Sequence, residues 1–245
     1  MIYWNNSLQS FNSSYISSDF FYVGFTAKQS GDMRPFENSF IFVKKFLSGR
    51  KSVVRLRQVH STNISIISKS SDELAIIDNC DGVVTNESNI ALCVVAADCV
   101  PILFIDEHHG VIGASHQGWK GTVQGMATKM ISQMLELGAA RDTLKAVIGP
   151  CINECCYNIW GERVEEFRSV FGKDADSILI ERDKKIYLNL IKANYIQLGH
   201  AGIKEKNIDY FPFCTSCDKN RFYSFRRDGD IIGEVMGYIM MKSNN

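Results

Sequence analysis

The strongest constraint on the fold is a run of three short apolar segments followed by a change of hydrophobic period. Residues 90–97, 101–105 and 111–115 are apolar, contain many β-branched side chains and are separated by polar residues, which predicts three buried strands. Over residues 123–135 the apolar side chains instead recur every three or four positions, which predicts a helix that stops near Gly138. This change from strands to helix indicates a mixed α/β fold with a mixed sheet.

The rest of the chain shows the same two kinds of pattern. Two further helices are predicted, over residues 160–171 and 190–198. In the first of them, the side chains expected to face inward are Val164, Phe167, Val170 and Phe171. The other predicted strands are residues 20–25, 143–148, 208–213 and 233–240, while residues 40–47 fit either state.

Composition narrows the class of protein. The chain has 245 residues, with 27 basic and 27 acidic side chains and a formal net charge of zero, which argues against duplex nucleic acid or an anionic membrane as the main partner. The longest apolar run is too short for a transmembrane span, and the first eighteen residues do not resemble a signal peptide. We therefore expect a cytoplasmic protein whose eight cysteines are reduced, and one continuous domain over residues 1–245.

Three candidate metal ligands lie where apolar segments end. His60 closes a strand-like stretch, Cys99 follows the segment at 90–97, and His116 follows the segment at 111–115. Residues at strand ends gather at a common rim, where a sheet can hold them rigidly. One cysteine and two histidines suit Zn²⁺, and three protein ligands leave a fourth position for water or substrate, as in catalytic zinc sites.

Each of these residues taken alone also fits a structural role. His60 could be a polar strand-end residue, Cys99 a small buried apolar side chain, and His116 a residue at a helix N-terminus. Their spacing matches no local zinc motif. The residue types alone therefore leave metal binding and simple packing open.

A set of motifs in a fixed order adds a resemblance to a known family. The motifs are RLRQVHS (55–61), DGVVT (81–85), ADCVP (97–101), HQGWKG (116–121), GPCI (149–152), CCY (155–157), CT (214–215) and FYSFRRD (222–228). Together they resemble the YfiH-type laccase-domain family, also called multicopper polyphenol oxidases and purine nucleoside phosphorylases. The resemblance covers nearly the whole chain.

This resemblance implies a fold, a metal site and a chemistry. It implies a four-layer α/β/β/α arrangement and a zinc ion held by His60, Cys99 and His116. The reactions it implies are phosphorolysis of adenosine, inosine and methylthioadenosine, together with adenosine deamination. The small-molecule partners would then be a nucleoside and phosphate, in a monomer or a homodimer.

Several positions depart from the family pattern and bear on phosphate binding. Lys120 and Lys28 stand where the family often has arginine, and Glu234 follows Gly233 where a Gly-Arg pair is usual. Arg226 and Arg227 are candidates for phosphate binding, since guanidinium groups match phosphate oxygens, although a solvated turn beside Asp228 is an equal alternative.

Other residues near the motifs admit two interpretations each. Asp98 could act as an acid or base, or orient a ligand, or serve only as a structural hydrogen-bond partner. Trp119 could stack on a base but better fits core packing, and Asp81 could simply cap the turn at Gly82. The pair His108-His109 is expected in an exposed loop.

A rival metal site and three rival functions also follow from the sequence. Cys214 and Cys217 have the spacing of a zinc knuckle, which Cys151, Cys155 and Cys156 could complete, although buried or incidental thiols are the better fit to the sequence. The older family name suggests a Cu²⁺-dependent phenol oxidase, but five histidines without a copper-type cluster argue against it. Cys99 could instead be the nucleophile of a thiol hydrolase, and a domain that only binds a partner would need neither metal nor turnover.

Overall fold

The secondary structure mixes strands and helices along the whole chain, whose computed structural model describes residues 2–16, 19–47, 52–69, 74–230 and 232–243. The strands of these residues are β1 (Ile2–Asn5), β2 (Ser10–Ser13), β3 (Phe21–Phe25), β4 (Ser52–Arg57), β5 (Ile64–Ile67), β6 (Leu74–Asp78), β7 (Gly82–Thr85), β8 (Ile90–Ala96), β9 (Val100–Asp106), β10 (Val111–Gln117), β11 (Lys145–Ile148), β12 (Asn158–Ile159), β13 (Leu179–Arg182), β14 (Lys185–Leu188), β15 (Ile208–Tyr210) and β16 (Val235–Met241). The helices are α1 (Phe36–Phe46), α2 (Trp119–Val123), α3 (Met126–Glu136), α4 (Glu162–Phe171), α5 (Ala175–Ile178), α6 (Leu190–His200) and α7 (Phe225–Asp228).

Two large sheets form the centre of the molecule. The first has the strand order β1-β2-β3-β16-β8-β4-β6, and the second has the order β15-β11-β9-β10-β7-β5. Both combine parallel and antiparallel neighbours: β4 is parallel to β6 and β8, and β7 is parallel to β5 but antiparallel to β10. A small antiparallel sheet, β12-β14-β13, lies apart from them in the strand order.

The alternation of side chains along β8 shows how the layers stack, because successive residues of a strand point to opposite faces. One set of residues packs in the core between the two sheets: Ile90, Leu92 and Val94. The other set packs with α1 on the outer face of the first sheet: Ala91, Cys93 and Val95. Both faces of the strand are therefore buried, which explains its unbroken apolar sequence.

The outer face of the second sheet is covered by helices. Ile102 and Phe104 of β9 lie in the same core as Met126, Met130 and Met134 of α3. With α1 on the opposite outer face, the layers run helix, sheet, sheet, helix. The mixed α/β class and the four-layer α/β/β/α arrangement are thus confirmed. No helix among the described residues has the length and apolar character needed to cross a bilayer.

The elements differ from the sequence predictions mainly at their ends. The helix predicted over residues 123–135 is divided into α2 and α3 at Gly125, whose φ of 75° lies in the left-handed region. Val170, predicted to face inward, is 49% exposed, because only Val164, Phe167 and Phe171 share the buried side of α4. The ambiguous residues 40–47 belong to α1, apart from Leu47, which follows the end of that helix.

Candidate metal centre and its pocket

Strand direction brings His60, Cys99 and His116 to one rim of the two sheets. His60 follows β4 and Cys99 follows β8, and these parallel neighbours end at the same edge of the first sheet. Cys99 is also the last residue before β9, so the chain crosses there into the second sheet. His116 lies at the end of β10, opposite Pro101 near the start of β9. The topology therefore makes the three residues meet, although they are far apart in sequence.

The distances at this meeting point fit a single metal ion. The ligand atoms of the three residues all lie within 4.8 Å of one another. The Cys99 Sγ and His60 Nε2 atoms are 3.7 Å apart. A tetrahedral zinc ion with Zn–S of about 2.3 Å and Zn–N of about 2.0–2.1 Å places such ligand atoms about 3.6 Å apart. The donor set and its spacing therefore suit a metal ion.

The buried carboxylate of Asp81 holds both histidines in place. It accepts hydrogen bonds from the backbone N–H groups of Val59 (3.2 Å), His60 (3.0 Å) and Ser61 (2.7 Å), and from the Ser61 hydroxyl (2.8 Å). Its Oδ1 also lies 2.9 Å from Nδ1 of His116. A proton on Nδ1 leaves the lone pair on Nε2, the nitrogen available to a metal. From the sequence, Asp81 was expected only to cap the turn at Gly82. Its position directly before a buried strand was the one sequence feature that could have indicated this larger role.

Backbone geometry shapes the centre at two further positions. His60 has a φ of 58°, a left-handed conformation that residues other than glycine rarely adopt. The hydrogen bonds to Asp81 hold the chain in this conformation. At Gly118, an added Cβ would lie 3.0 Å from Cδ2 of His60 and 3.1 Å from Sγ of Cys99. Glycine therefore lets the start of α2 approach the two ligands.

The charges of the three groups are coupled. Burial opposes ionisation of both Cys99 and His116, but their attraction overcomes it: the pKa of the Cys99 thiol is lowered and the pKa of His116 is raised. Asp81 adds to the rise at His116, and its own pKa is lowered to about 2 against the effect of burial by His116 and Ser61. Cysteine binds a metal as the thiolate, whereas His116 binds one only as the neutral imidazole, so an ion that enters this site would displace the Nε2 proton.

A pocket of about 570 Å³ opens onto these ligands. Small-molecule sites in proteins commonly have about 300–1,000 Å³. The wall of this pocket includes aromatic and cationic side chains from distant parts of the chain: Trp119, Tyr157, Phe225, Arg34, Arg163 and Arg226. The metal ligands, planar apolar faces and guanidinium groups therefore share one cavity.

The arrangement agrees with what sequence comparison finds. The sequence profile of the family described as multi-copper polyphenol oxidoreductase laccase matches residues 30–242. This chain belongs to that family. The family resemblance inferred from the motifs is thereby confirmed. In this member of the family, His60, Cys99 and His116 form a group of side chains that could hold a metal ion.

Relatives and solved structures extend the comparison. The chain is 32% identical over 197 residues to adenosine deaminase RL5 of an unknown prokaryotic organism, covering 78% of this chain and 75% of the relative. It is 34% identical over 191 residues to purine nucleoside phosphorylase YlmD of Geobacillus stearothermophilus, covering 74% and 69% of the two chains. The crystal structure of the hypothetical protein YfiH of Bacillus licheniformis matches with a TM-score of 0.81 at 27% identity, covering 91% of this chain and 93% of that one.

Asp98, predicted as a possible acid or base, is engaged in structural hydrogen bonds in this laccase-family chain. Its carboxylate accepts hydrogen bonds from the hydroxyls of Thr215 (2.6 Å) and Ser224 (3.0 Å), and from the backbone N–H of Arg226 (2.7 Å). These contacts favour the structural alternative over acid–base action. Asp98 ties the turn at Cys99 to the segment that carries Arg226.

The two candidate arginines have different surroundings. Arg226 lines the pocket, and its guanidinium donates to Oδ1 of Asn158 at 2.7 Å and lies 5.0 Å from the centre of the Tyr157 ring. Arg227 instead donates to the backbone oxygens of Thr215 and Ser216 and to the Asp228 carboxylate, and it is not among the pocket-lining residues that the structure describes. The structure therefore keeps Arg226 as a candidate for phosphate binding and gives Arg227 a structural position.

The two candidate lysines lie outside the lining of the pocket. Lys120 is exposed, with its ammonium 5.8 Å from the centre of the Trp119 ring, and Lys28 donates to the backbone oxygen of Lys219 at 2.8 Å. The positive charge in the pocket wall comes instead from other side chains, which include Arg34 and Arg163. Sequence reasoning missed both, because neither belongs to a motif with a strand-end position. Glu234, at the position where the family pattern has arginine, also lines the pocket.

Arg163 and Trp119 form one side of the pocket together. The Arg163 guanidinium lies 4.2 Å from the centre of the Trp119 ring, and its Nε is buried with no hydrogen-bond partner in the described structure. Trp119 packs against the helical core while also reaching the cavity, so both interpretations of its role describe part of its environment. The pair His108-His109 is exposed, as predicted.

A second group of thiols lies near this pocket. The sulfur atoms of Cys155, Cys156, Cys214 and Cys217 all lie within 4.8 Å of one another. Cys151, predicted as a fifth candidate, is buried and does not belong to this group. The sequence suggested such a cluster only as an alternative, because its two halves come from separate loops.

Proposed function

We propose that this chain is a zinc-dependent enzyme of purine nucleosides, working as one domain over residues 1–245. Its reaction is phosphorolysis of adenosine, inosine or methylthioadenosine, with adenosine deamination as a further activity. The observation that carries the proposal is the meeting of His60, Cys99 and His116 in a pocket also lined by guanidinium and aromatic groups. The activities named for relatives at about a third identity support it.

The ligand set supplies the electrophilic part of the chemistry. When bound, zinc acts as a Lewis acid that polarises oxygen and lowers the pKa of water. His60, Cys99 and His116 would hold the ion, and the contact with Asp81 would keep the His116 ring in the tautomer that offers Nε2. Three protein ligands would leave a fourth coordination position for water or substrate, as in catalytic zinc sites.

The pocket wall supplies the groups that recognise the substrates. Arg226 offers a guanidinium fork to phosphate oxygens, and Arg34 and Arg163 add positive charge. Phe225 is 56% exposed and lines the pocket, so its ring is available to stack on a purine. In phosphorolysis a phosphate oxygen bonds to the anomeric carbon while the bond to the purine nitrogen breaks. The purine leaves with that electron pair and takes up the proton that the attacking hydrogen phosphate loses.

Product analysis with and without phosphate tests the reaction class. Purified protein is incubated with adenosine, and the products are separated by chromatography. Adenine and ribose 1-phosphate that form only with phosphate support phosphorolysis, whereas inosine in both conditions indicates deamination. Adenine without phosphate would mean hydrolysis and would reject the phosphorylase.

Two variants prepared in parallel control for contaminating host phosphorylases. His116→Ala removes a metal ligand and should have no activity above the host background. His108→Ala replaces an exposed histidine outside the pocket and should match the wild type. Equal turnover by His116→Ala and the wild type would show that the activity belongs to a contaminant or does not need this centre.

A thiol hydrolase remains the second candidate, because the lowered pKa of Cys99 beside two imidazoles also suits a nucleophile. Iodoacetamide distinguishes the two. A nucleophilic Cys99 reacts whether or not zinc is supplied, while a Cys99 bound to zinc is protected until a chelator is added. Metal analysis of the same preparations tests the copper oxidase, since copper in place of zinc at this centre would favour phenol oxidation.

A further inference from the structure

Four cysteines from two separate loops converge beside the pocket. Cys155 and Cys156 lie between β11 and β12, and Cys214 and Cys217 lie between β15 and α7. The Cys217 Sγ is 3.4 Å from the Cys155 Sγ and 3.3 Å from the Cys156 Sγ. These loops follow the parallel neighbours β11 and β15, which carry them to the same edge of the second sheet. An isolated parallel β-bridge between the backbones of Cys151 and Cys214 continues that strand pairing into the loops.

The spacing of the four sulfurs fits one ion rather than a larger cluster. A tetrahedral ion with metal–sulfur bonds of about 2.3 Å separates its thiolates by about 3.8 Å. All four sulfurs lie within 4.8 Å of one another, which surrounds a single centre. A cluster of several iron atoms would need more room between its ligands. Four soft thiolates in this geometry select zinc among the common divalent ions.

The surroundings supply hydrogen bonds and positive charge. The backbone N–H of Asn153 donates to Sγ of Cys214 at 3.4 Å. Arg182 donates to the backbone oxygen of Cys155 at 3.3 Å, and Arg226 donates to that of Cys156 at the same distance. Four thiolates around a divalent ion carry a net charge of about −2, which nearby guanidinium groups offset.

We propose that Cys155, Cys156, Cys214 and Cys217 bind one zinc ion in a closed, structural site. The ion joins the loop at 151–158 to the loop at 214–218. Tyr157 and Asn158 follow the first pair of cysteines, and Arg226 contacts both Cys156 and Asn158. The ion therefore sets the position of Tyr157 and Arg226 in the pocket wall without touching a substrate. This site is separate from the His60–Cys99–His116 centre and does not depend on the function of that centre.

A disulfide is the main competing arrangement. Adjacent cysteines such as Cys155 and Cys156 have Cα atoms about 3.8 Å apart across a trans peptide, below the usual range of about 4.4–6.8 Å for a disulfide. Cys217 has two neighbouring thiols within 3.4 Å, so it is the residue through which a bridge would form. Metal analysis and mass spectrometry separate the two arrangements.

The test counts zinc per chain in untagged protein purified under reducing conditions and without chelator. Elemental analysis should give about two zinc ions for the wild type and about one for Cys217→Ser and Cys155→Ser, whose side chains are exposed enough for the fold to tolerate them. His116→Ala should also hold about one, and the double variant His116→Ala/Cys217→Ser none. Cys80→Ser, a half-buried cysteine outside both groups, should keep about two.

Spectroscopy shows which ion each variant retains. Cobalt-substituted His116→Ala should have the intense thiolate charge-transfer and d–d absorption of a four-sulfur site, and Cys217→Ser should lose it. In the wild type, a chelator that removes zinc from this site should lower the thermal midpoint of unfolding. In Cys217→Ser that decrease should be absent. Equal zinc in wild type and Cys217→Ser, or an intact mass two hydrogens lighter with a bridge mapped to Cys217, would overturn the proposal.

Discussion

The His60–Cys99–His116 centre and the four-cysteine cluster have similar ligand spacing but come from different parts of the fold. The first has mixed ligands at strand ends, is braced by the Asp81 carboxylate and opens onto a pocket. The second has only sulfur ligands on two loops, with an amide hydrogen bond to one sulfur. Three ligands leave a position for chemistry, whereas four complete the coordination of a structural ion. The comparison teaches that the number of ligands and the hydrogen bonds that orient them, more than the ligand spacing, distinguish a candidate catalytic metal site from a candidate structural one.

The largest expected effect comes from removing a ligand of the open centre. His116→Ala should reduce turnover to the host background. The thermal midpoint of unfolding should fall only modestly, so the loss of activity is not explained by unfolding. The zinc ion proposed for the four-cysteine cluster should remain in this variant, because no ligand of the cluster is changed. Elemental analysis and the nucleoside assay on the same sample check both parts. Full activity in a variant that has lost one zinc ion would contradict the catalytic role of the open centre.

Asp81→Asn should weaken metal binding at the open centre by about 10–100-fold, the usual effect of losing a partner that orients a metal-bound histidine. The amide would also place N–H donors against the backbone donors of His60 and Ser61. Chelator competition measures the affinity. Asp106→Asn is the matched control, since Asp106 is also a buried carboxylate with several donors but lies outside both centres. It should lower stability and leave metal affinity unchanged.

Asp81 also predicts an acid dependence for the metal-free protein. Its pKa in the folded state is lowered to about 2 from an ordinary value of 3.8, so its carboxylate stabilises the fold above about pH 4. That contribution, about 2 kcal/mol, is lost as the pH falls from about 4 to about 2. Urea titrations of wild type and Asp81→Asn across this range should show a steeper loss of stability in the wild type. Parallel curves would contradict the assignment.

Gly118→Ala should weaken metal binding at the open centre by about tenfold, because the new Cβ would push against His60 and Cys99. The cluster should be unaffected. Gly199→Ala is the control, as no atom lies within 4 Å of its added Cβ and the position is helical. That control should keep full affinity and gain slightly in stability. Unchanged affinity in Gly118→Ala would show that the ligands can move aside.

The last prediction concerns the wall of the pocket that opens onto the His60–Cys99–His116 centre. Arg226→Ala should raise the KM for phosphate about tenfold with a smaller change in kcat, as expected for a side chain proposed to bind phosphate equally in the ground state and the transition state. Lys120→Ala should change neither value, since Lys120 lies outside the lining of the pocket. Steady-state kinetics at varied phosphate measure both. A KM in Arg226→Ala equal to that of the wild type would reject phosphate binding at this side chain.

Much of the fold was predictable from local patterns. The strands around residues 90–117 follow from apolar runs that are buried on both faces, and Gly138 and Gly172 end their helices with φ values of 100° and 50°. The short strands β1 and β2 escaped prediction, because residues 2–13 mix polar and apolar side chains without a clear period. The sequence also showed no sign of the interruption between α2 and α3 at Gly125. The helical spacing of apolar residues continues on both sides of this single left-handed residue.

The sequence by itself determined that His60, Cys99 and His116 each end an apolar segment, because hydrophobic period and segment length are local properties. Only the tertiary structure decided that they meet, that Asp81 braces two of them, and that Arg226 rather than Arg227, Lys120 or Lys28 reaches the pocket. Those outcomes depend on strand order and direction, which pair residues distant in the chain and have no signature in any one segment.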